Sequence, residues 1–222
     1  MVSKKILFKS YTLIILFLAS TSVFGQGVKF GIFFDPVVTW WKSDVSDVMV
    51  EKARLGFDFG MSADCYFSEN YAFATGISLF NTGGTLKYLH NDLTLYTNDG
   101  KVEIASGSTV KYKIQYVKIP VALKFKTHRI GRFVYSTNLG FDPMVRVSTR
   151  VDFNGLENVT ANKETNLFNL GWHFGAGAQY SLGGDVAVFG GLSFMNTFID
   201  ITRPAHDNIT SNHLGFRIGI MF

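Results

Sequence analysis

From residue 26 onward the chain alternates. Leu55, Phe57, Phe59, Met61, Ala63, Cys65 and Phe67 are apolar, whereas Arg54, Gly56, Asp58, Gly60, Ser62 and Asp64 between them are small or polar. A period of two marks an extended strand with two unlike faces, because successive side chains point to opposite sides of a sheet. The same pattern recurs in Val28–Phe34, Tyr71–Leu79, Phe133–Phe141, Phe168–Tyr180, Val186–Ile199 and Leu214–Phe222. An eighth run, from about Val110 to Lys126, carries it in two phases. Val117, Ile119, Val121, Leu123 and Phe125 share one parity, while Tyr112, Ile114 and Tyr116 lie on the other. A bulge near Tyr116 is expected to reconcile the two halves. Each of the eight runs is long enough for a tilted membrane strand of about ten residues.

The spacing between runs carries independent information. Long gaps (36–52, 81–109, 147–165 and 200–210) alternate with short ones (68–70, 127–131 and 183–184). A soluble meander has no physical reason to segregate loop lengths to one end. Outer-membrane barrels do, with short periplasmic turns, longer external loops and an even strand count. The expected fold is all-β, an eight-stranded antiparallel up-and-down transmembrane β-barrel. Asn154-Gly155, inside one long gap, is expected to form a tight turn.

Composition decides which face points outward. Only 17% of residues are charged, against about 25% in soluble domains. The polar face consists mainly of Gly, Ser, Asn and Ala, a poor solvent shell but a good filling for a narrow lumen. Aromatics sit near the ends of several runs, among them Phe67, Tyr71, Phe133, Tyr135, Tyr180, Trp40 and Trp41. That placement suits interfacial girdles. The competing architecture is a soluble periplasmic lipocalin-like ligand-binding barrel, with the apolar face turned inward.

The first 25 residues read as a signal peptide. Lys4, Lys5 and Lys9 precede an apolar core from Tyr11 to Ala19, and Val23-Phe24-Gly25 suits a cleavage site. Residues 26–222 are then the barrel domain, and the expected localisation is the outer membrane of a Gram-negative cell. Removing the leader lysines leaves 18 basic residues against 17 acidic ones, so the basic pI implies no nucleic-acid partner. Cys65 is alone, which excludes an intramolecular disulfide. The last strand, with Phe216, Ile218, Ile220 and a terminal Phe222, is similar to the signal read by the outer-membrane assembly machinery. That machinery and the lipid of the outer membrane are expected partners.

Charged residues on the presumed lumen face form the candidate site: Lys29, Arg54, Asp58, Asp64, Lys118, Lys124, Arg132, Asp142, Arg146, His173 and Arg217, with His213 nearby in pattern. Both signs are present, and eight strands leave room for little beyond side chains. Buried charges must pair, so a polar network filling the lumen is expected, with a narrow pore as the alternative. A small barrel enzyme would need a nucleophile with a base and an acid close by. His173 with Ser136 or Ser193 and Asp58 or Asp142 supplies the residue types, but any barrel of this size does. His90, His128 and His206 show no metal-ligand spacing, and no cofactor is implied. Trp40, Trp41, Tyr88 and Tyr96 are large enough to anchor an extracellular ligand or envelope protein through the long loops.

Tyr116-Val117-Lys118-Ile119-Pro120-Val121-Ala122-Leu123-Lys124 resembles a recurrent segment of the PorT-like family of outer-membrane β-barrel proteins. Gly140 with Pro143, Gly175-Ala176-Gly177, and Gly191-Leu192-Ser193 through Asn196 are similar to later strands of that family. Lys118 stands where the family often has Glu. The resemblance spans most of the mature chain and implies an eight-stranded outer-membrane barrel. Most members have no assigned activity; the namesake is linked to protein secretion.

Overall fold

A computed structural model of the chain describes residues 27–44, 47–89, 93–98, 100–203 and 209–222. The expected leader, His90 and His206 lie outside the described residues. The strands are β1 (Val28–Ser43), β2 (Val48–Lys52), β3 (Arg54–Ser68), β4 (Tyr71–Tyr88), β5 (Leu93–Thr97), β6 (Gly100–Ile104), β7 (Thr109–Lys118), β8 (Val121–Lys126), β9 (Phe133–Phe153), β10 (Leu156–Thr160), β11 (Phe168–Gly183), β12 (Val186–Thr197) and β13 (Ile209–Met221).

Eight antiparallel wall positions close into a ring. β1 pairs with β3, β3 with β4, and β4 with both β7 and β8. Those two pair in turn with β9, which is followed by β11, β12 and β13. β13 returns to β1, with Phe33 opposite Gly219 and Thr39 opposite His213. β7 and β8 are one wall position interrupted at Ile119-Pro120, where proline has no N–H to give to the ladder. Reciprocal bonds between the backbones of Phe30 and Phe222, at 3.0 and 2.8 Å, finish the seam. Short turns lie at that end, and β2, β10 and the separate β5–β6 hairpin lie at the other.

The expected facing of the alternation holds. Phe59, Met61, Ile77, Leu123, Leu139, Phe174, Leu192 and Ile218 point outward and stay about half exposed. So continuous an apolar belt has no counterpart on a water-soluble monomer. Aromatic rings frame it. Phe67, Tyr71, Phe73 and Phe125 cluster near the short turns, with ring centroids 5.0–6.2 Å apart, and Phe133 packs on Tyr180 at 5.0 Å. Trp172, Phe194 and Trp40 form the opposite girdle.

The irregularity expected near Tyr116 falls at that height, but in the partner strand. Gln115 pairs with Ser148 and Tyr116 with Arg146, so Val147 of β9 is the extra residue. Tyr112, Ile114, Tyr116 and Lys118 therefore keep one orientation, inward and buried. The strand does not turn over; the chemistry of the lumen changes along it. β9 is the strand that changes phase, with Asp142 and Met144 inward below the bulge and Thr149, Val151 and Phe153 inward above it.

The long gaps are also more ordered than the sequence suggests. β4 has 18 residues and β9 has 21, so both run well past the roughly ten needed to cross. Trp41 and Tyr88, expected as girdle or loop anchors, point inward and are buried. Trp41 lies 5.7 Å from the Tyr112 ring. Gly84 makes room for it, since a Cβ there would lie 2.3 Å from the indole. The β5–β6 hairpin contributes Leu95 and Ile104 to the same apolar cluster, together with Val110, Ile114, Val151, Phe153 and Ile201. Its backbone is tied down by Tyr96 N–H to Glu164 Oε1 at 2.7 Å and Asn98 N–H to the Thr160 carbonyl at 2.9 Å. Asn154-Gly155 forms the expected turn, with φ of 47° and 80°.

An arginine placed on the outer face distinguishes belt from rim. Leu123→Arg, within the belt, is expected to lower stability by about 2–4 kcal/mol, and Gln115→Arg by about 0–1 kcal/mol. Urea-unfolding midpoints in lipid vesicles measure the difference; equal costs would remove the assigned membrane depth.

Candidate functional site

The lower lumen is held by carboxylates, each paired with a base on a neighbouring or next-but-one wall strand. Asp35 of β1 accepts from Arg217 of β13 through three contacts of 2.7–3.1 Å. This two-pronged geometry is the strongest arrangement for a carboxylate and a guanidinium. Asp58 and Asp64 of β3 are bonded by Lys118 of β7 and Lys124 of β8, the second pair at 2.5 Å. Both lysines reach across β4, which separates them from their partners. They can do so because the inward residues of β4 there are small: Ser78 pairs with Lys118 and Ala72 with Lys124. Asp142 of β9 lies 3.0 Å from His173 Nδ1 of β11.

Rings and hydroxyls flank these charges. Arg217 stacks over Phe33 at 4.1 Å and Lys118 lies over Phe80 at 5.1 Å. His213 is buried between Phe80, 5.0 Å away, and Thr39 Oγ1, 2.9 Å from its Nδ1. Thr39 in turn lies 3.1 Å from Thr82. Above this layer begins the apolar cluster of Trp41, Tyr112 and the hairpin. A cavity of about 120 Å³ remains beside the ion pairs, lined by Asp35, Asp58, Asn138, Asp142 and Arg217. Asp58 Oδ1, Asp142 Oδ1 and Asn138 Oδ1 are buried without a protein partner. The cavity has room for waters to serve such oxygens.

Of the residues expected in the lumen network, Asp58, Asp64, Lys118, Lys124, Asp142, His173 and Arg217 come together. Four do not. Arg54 drapes over the outward side of Gly83, its Cδ 3.2 Å from where a Cβ would sit, and donates to the Tyr112 carbonyl at 2.8 Å. The end of β3 is free of β4 at that height, so the long side chain folds outward over the neighbouring strand. Arg132 is exposed in a short turn, where it reaches the Tyr180 hydroxyl at 3.3 Å. Arg146 lies just below the bulge and turns to the Asn162 carbonyl under the outer loops. Lys29 stands at the short-turn mouth, beside a bowl of about 260 Å³ also lined by Lys126, Arg129 and Arg132. Asp35 and Thr39 belong to the network without having been singled out. The signal for Asp35 was its place in the alternation between Phe34 and Pro36.

The catalytic residue types considered around His173 come together only in part, with Asp142 beside it. Among the described residues neither Ser136 nor Ser193 hydrogen-bonds it, and no group of His, Cys, Asp or Glu could hold a metal ion. His128 lies in a short turn, away from the lumen pairs.

A closed ring of eight strands, apolar outside and charge-paired within, defines an integral membrane β-barrel. The chain belongs to the outer membrane protein beta-barrel domain family, whose profile matches residues 21–203. Its place is accordingly the outer membrane, and the long connections face outward. No curated protein matches the sequence. Similar solved structures include Neisserial surface protein A, at 12% identity and a TM-score of 0.49, covering 88% of this chain and 98% of that one. OprG from Pseudomonas aeruginosa has 11% identity and a TM-score of 0.48, covering 88% and 94%. The attachment invasion locus protein Ail of Yersinia pestis has 11% identity and a TM-score of 0.43, covering 89% and 100%.

The Asp58–Lys118 pair gives a direct energetic test. Lys118→Met leaves a buried carboxylate unpaired and is expected to cost about 3–5 kcal/mol. Combining it with Asp58→Leu should recover most of that loss, because a well-packed apolar pair often matches a buried ion pair. Unfolding midpoints of the single and double variants check this; a double variant as unstable as the single one would count against the pairing.

Proposed function

We propose that the protein is a closed, non-catalytic outer-membrane barrel that presents a folded extracellular surface, in a structural, adhesive or envelope-assembly role. The observation that carries this reading is the two-tier filling of the lumen. The lower half is crossed by charge pairs from Asp35, Asp58, Asp64 and Asp142, and the outer half holds an apolar cluster that includes the β5–β6 hairpin. A conducting barrel needs a continuous wet path, and buried Leu95, Ile104 and Tyr112 oppose one. The outward-facing loops leave Met49, Tyr96 and Leu156 exposed, so an extracellular ligand or envelope protein has apolar anchors to meet. A place among PorT-like proteins, carried by the Tyr116–Lys124 segment, and export by a cleaved leader of residues 1–25 belong to the same reading.

Planar-bilayer recording of the purified monomer is the test. No resolved conductance steps are expected from the intact chain. Sustained large steps from a verified monomer would sink the closed-lumen reading and make a narrow pore the leading one.

The hairpin tie adds a pH dependence. Burial pushes the Glu164 carboxyl above its ordinary range, although the Tyr96 N–H pulls it the other way. A raised folded pKa means that docking is strongest below 4.5, the ordinary glutamate value. It weakens as pH rises through the raised folded value. Amide exchange at Tyr96 is expected to be slower at pH 4 than at pH 7 once corrected for intrinsic rates, and Glu164→Gln should abolish the difference.

A further inference from the structure

Above the apolar belt, the outer wall of β3, β4, β7 and β9 carries a cluster of cations. Lys113 of β7 and Arg150 of β9 are directly opposite one another. On the other side Lys113 faces Gly83 of β4, the residue covered by Arg54. Lys111 follows one step further out, opposite Asp152. Among the described residues Asp152 is the one acid that pairs with this group: it bonds Lys113 at 2.6 Å and lies 3.9 Å from Lys111. Of the four cations only Lys111 and Lys113 reach that carboxylate within ion-pair distance. Like charges directly opposite across strands destabilise a sheet, and the exposed Arg150 has no ion-pair partner among the described residues. Such an arrangement is stable where something anionic lies against it.

Its depth says what that is. On β4, β7 and β9 the outward apolar residues of the wall end at Leu79, Val117 and Val147, while on β3 they continue to Leu55 beside Arg54. Lys113 is four residues beyond Val117. At about 3.4 Å per residue on a strand tilted by roughly 40°, it stands about 10 Å above it. The headgroup layer occupies about 5–8 Å on each side of the hydrocarbon, and lysine and arginine stems extend their charges toward it. We infer that Arg54, Lys113 and Arg150, with Lys111 above them, form a binding surface for the phosphate groups of an outer-leaflet glycolipid. The surface is a flat sheet face, matched to headgroups arrayed in a plane. Arg54 is fixed by its bond to the Tyr112 carbonyl, so its charge is positioned before any lipid arrives.

The test reconstitutes the full chain in phosphatidylcholine vesicles doped with lipid A, either bisphosphorylated or dephosphorylated, and measures bound lipid by native mass spectrometry. Preference for the phosphorylated form is expected. Each cation removed in Arg150→Gln and in Lys113→Gln/Arg150→Gln should lower it about fivefold. Arg150→Gln breaks no ion pair, so it stays informative if the double variant folds poorly, and heat-modifiability on gels verifies folding. Lys101→Gln, in the β5–β6 hairpin, should leave the preference unchanged. Equal binding of the two lipid forms, or an unaffected Arg150→Gln, would overturn the inference. Complete displacement of lipid A by inorganic phosphate would overturn its lipid assignment and leave a free-anion site.

Discussion

Inside a hydrocarbon layer a backbone N–H or C=O finds no water, so every strand that crosses needs a partner along both edges. The pairing of β13 with β1 meets that requirement, and much else follows from it. A ring of eight positions has a narrow bore. Anything polar that points inward is cut off from bulk solvent at once and must find its partner within a few ångströms. The paired carboxylates and bases of the lower lumen answer a problem that closure itself creates.

How they are paired depends on what lies between. Lys118 and Lys124 are separated from Asp58 and Asp64 by a whole strand, and only small inward residues such as Ala72 and Ser78 let them cross it. Small residues on this face are therefore spacers, and the charged residues act as struts laid over them. The outer half uses the opposite device. Gly84 gives up its side chain so that the Trp41 ring can occupy the space, and the bore is filled by bulk where it had been spanned by charge.

The alternation made the wall legible. It placed the strands and oriented their faces, and it marked Asp58, Asp64, Lys118, Lys124, Asp142, His173 and Arg217 as inward. It misread residues where strands leave the membrane. Trp41 and Tyr88 look like interface or loop aromatics because a sequence does not show that a hairpin folds back over the mouth and makes an apolar interior there. Arg54 sits at an inward position of the pattern, yet its side chain escapes outward beside Gly83, since parity fixes the Cα–Cβ direction and not the far end of a long chain. Partners were also invisible: nothing in one sequence says that Asp35 meets a residue 182 positions away, because that contact exists only once the ring has closed.

The extra residue at Val147 amounts to a half-period phase shift built into one strand. Below it β9 presents even-numbered residues to the interior, and above it odd-numbered ones. The crossing portion and the protruding portion are thereby uncoupled: below the bulge the apolar residues Leu139, Phe141 and Val145 face the lipid, and above it Val151 and Phe153 face the core while Arg150 faces outward. Length changes in that region should then obey a parity rule. Adding or losing two residues beyond the bulge preserves which side chains meet the core, whereas a change of one would turn Thr149, Val151 and Phe153 inside out together.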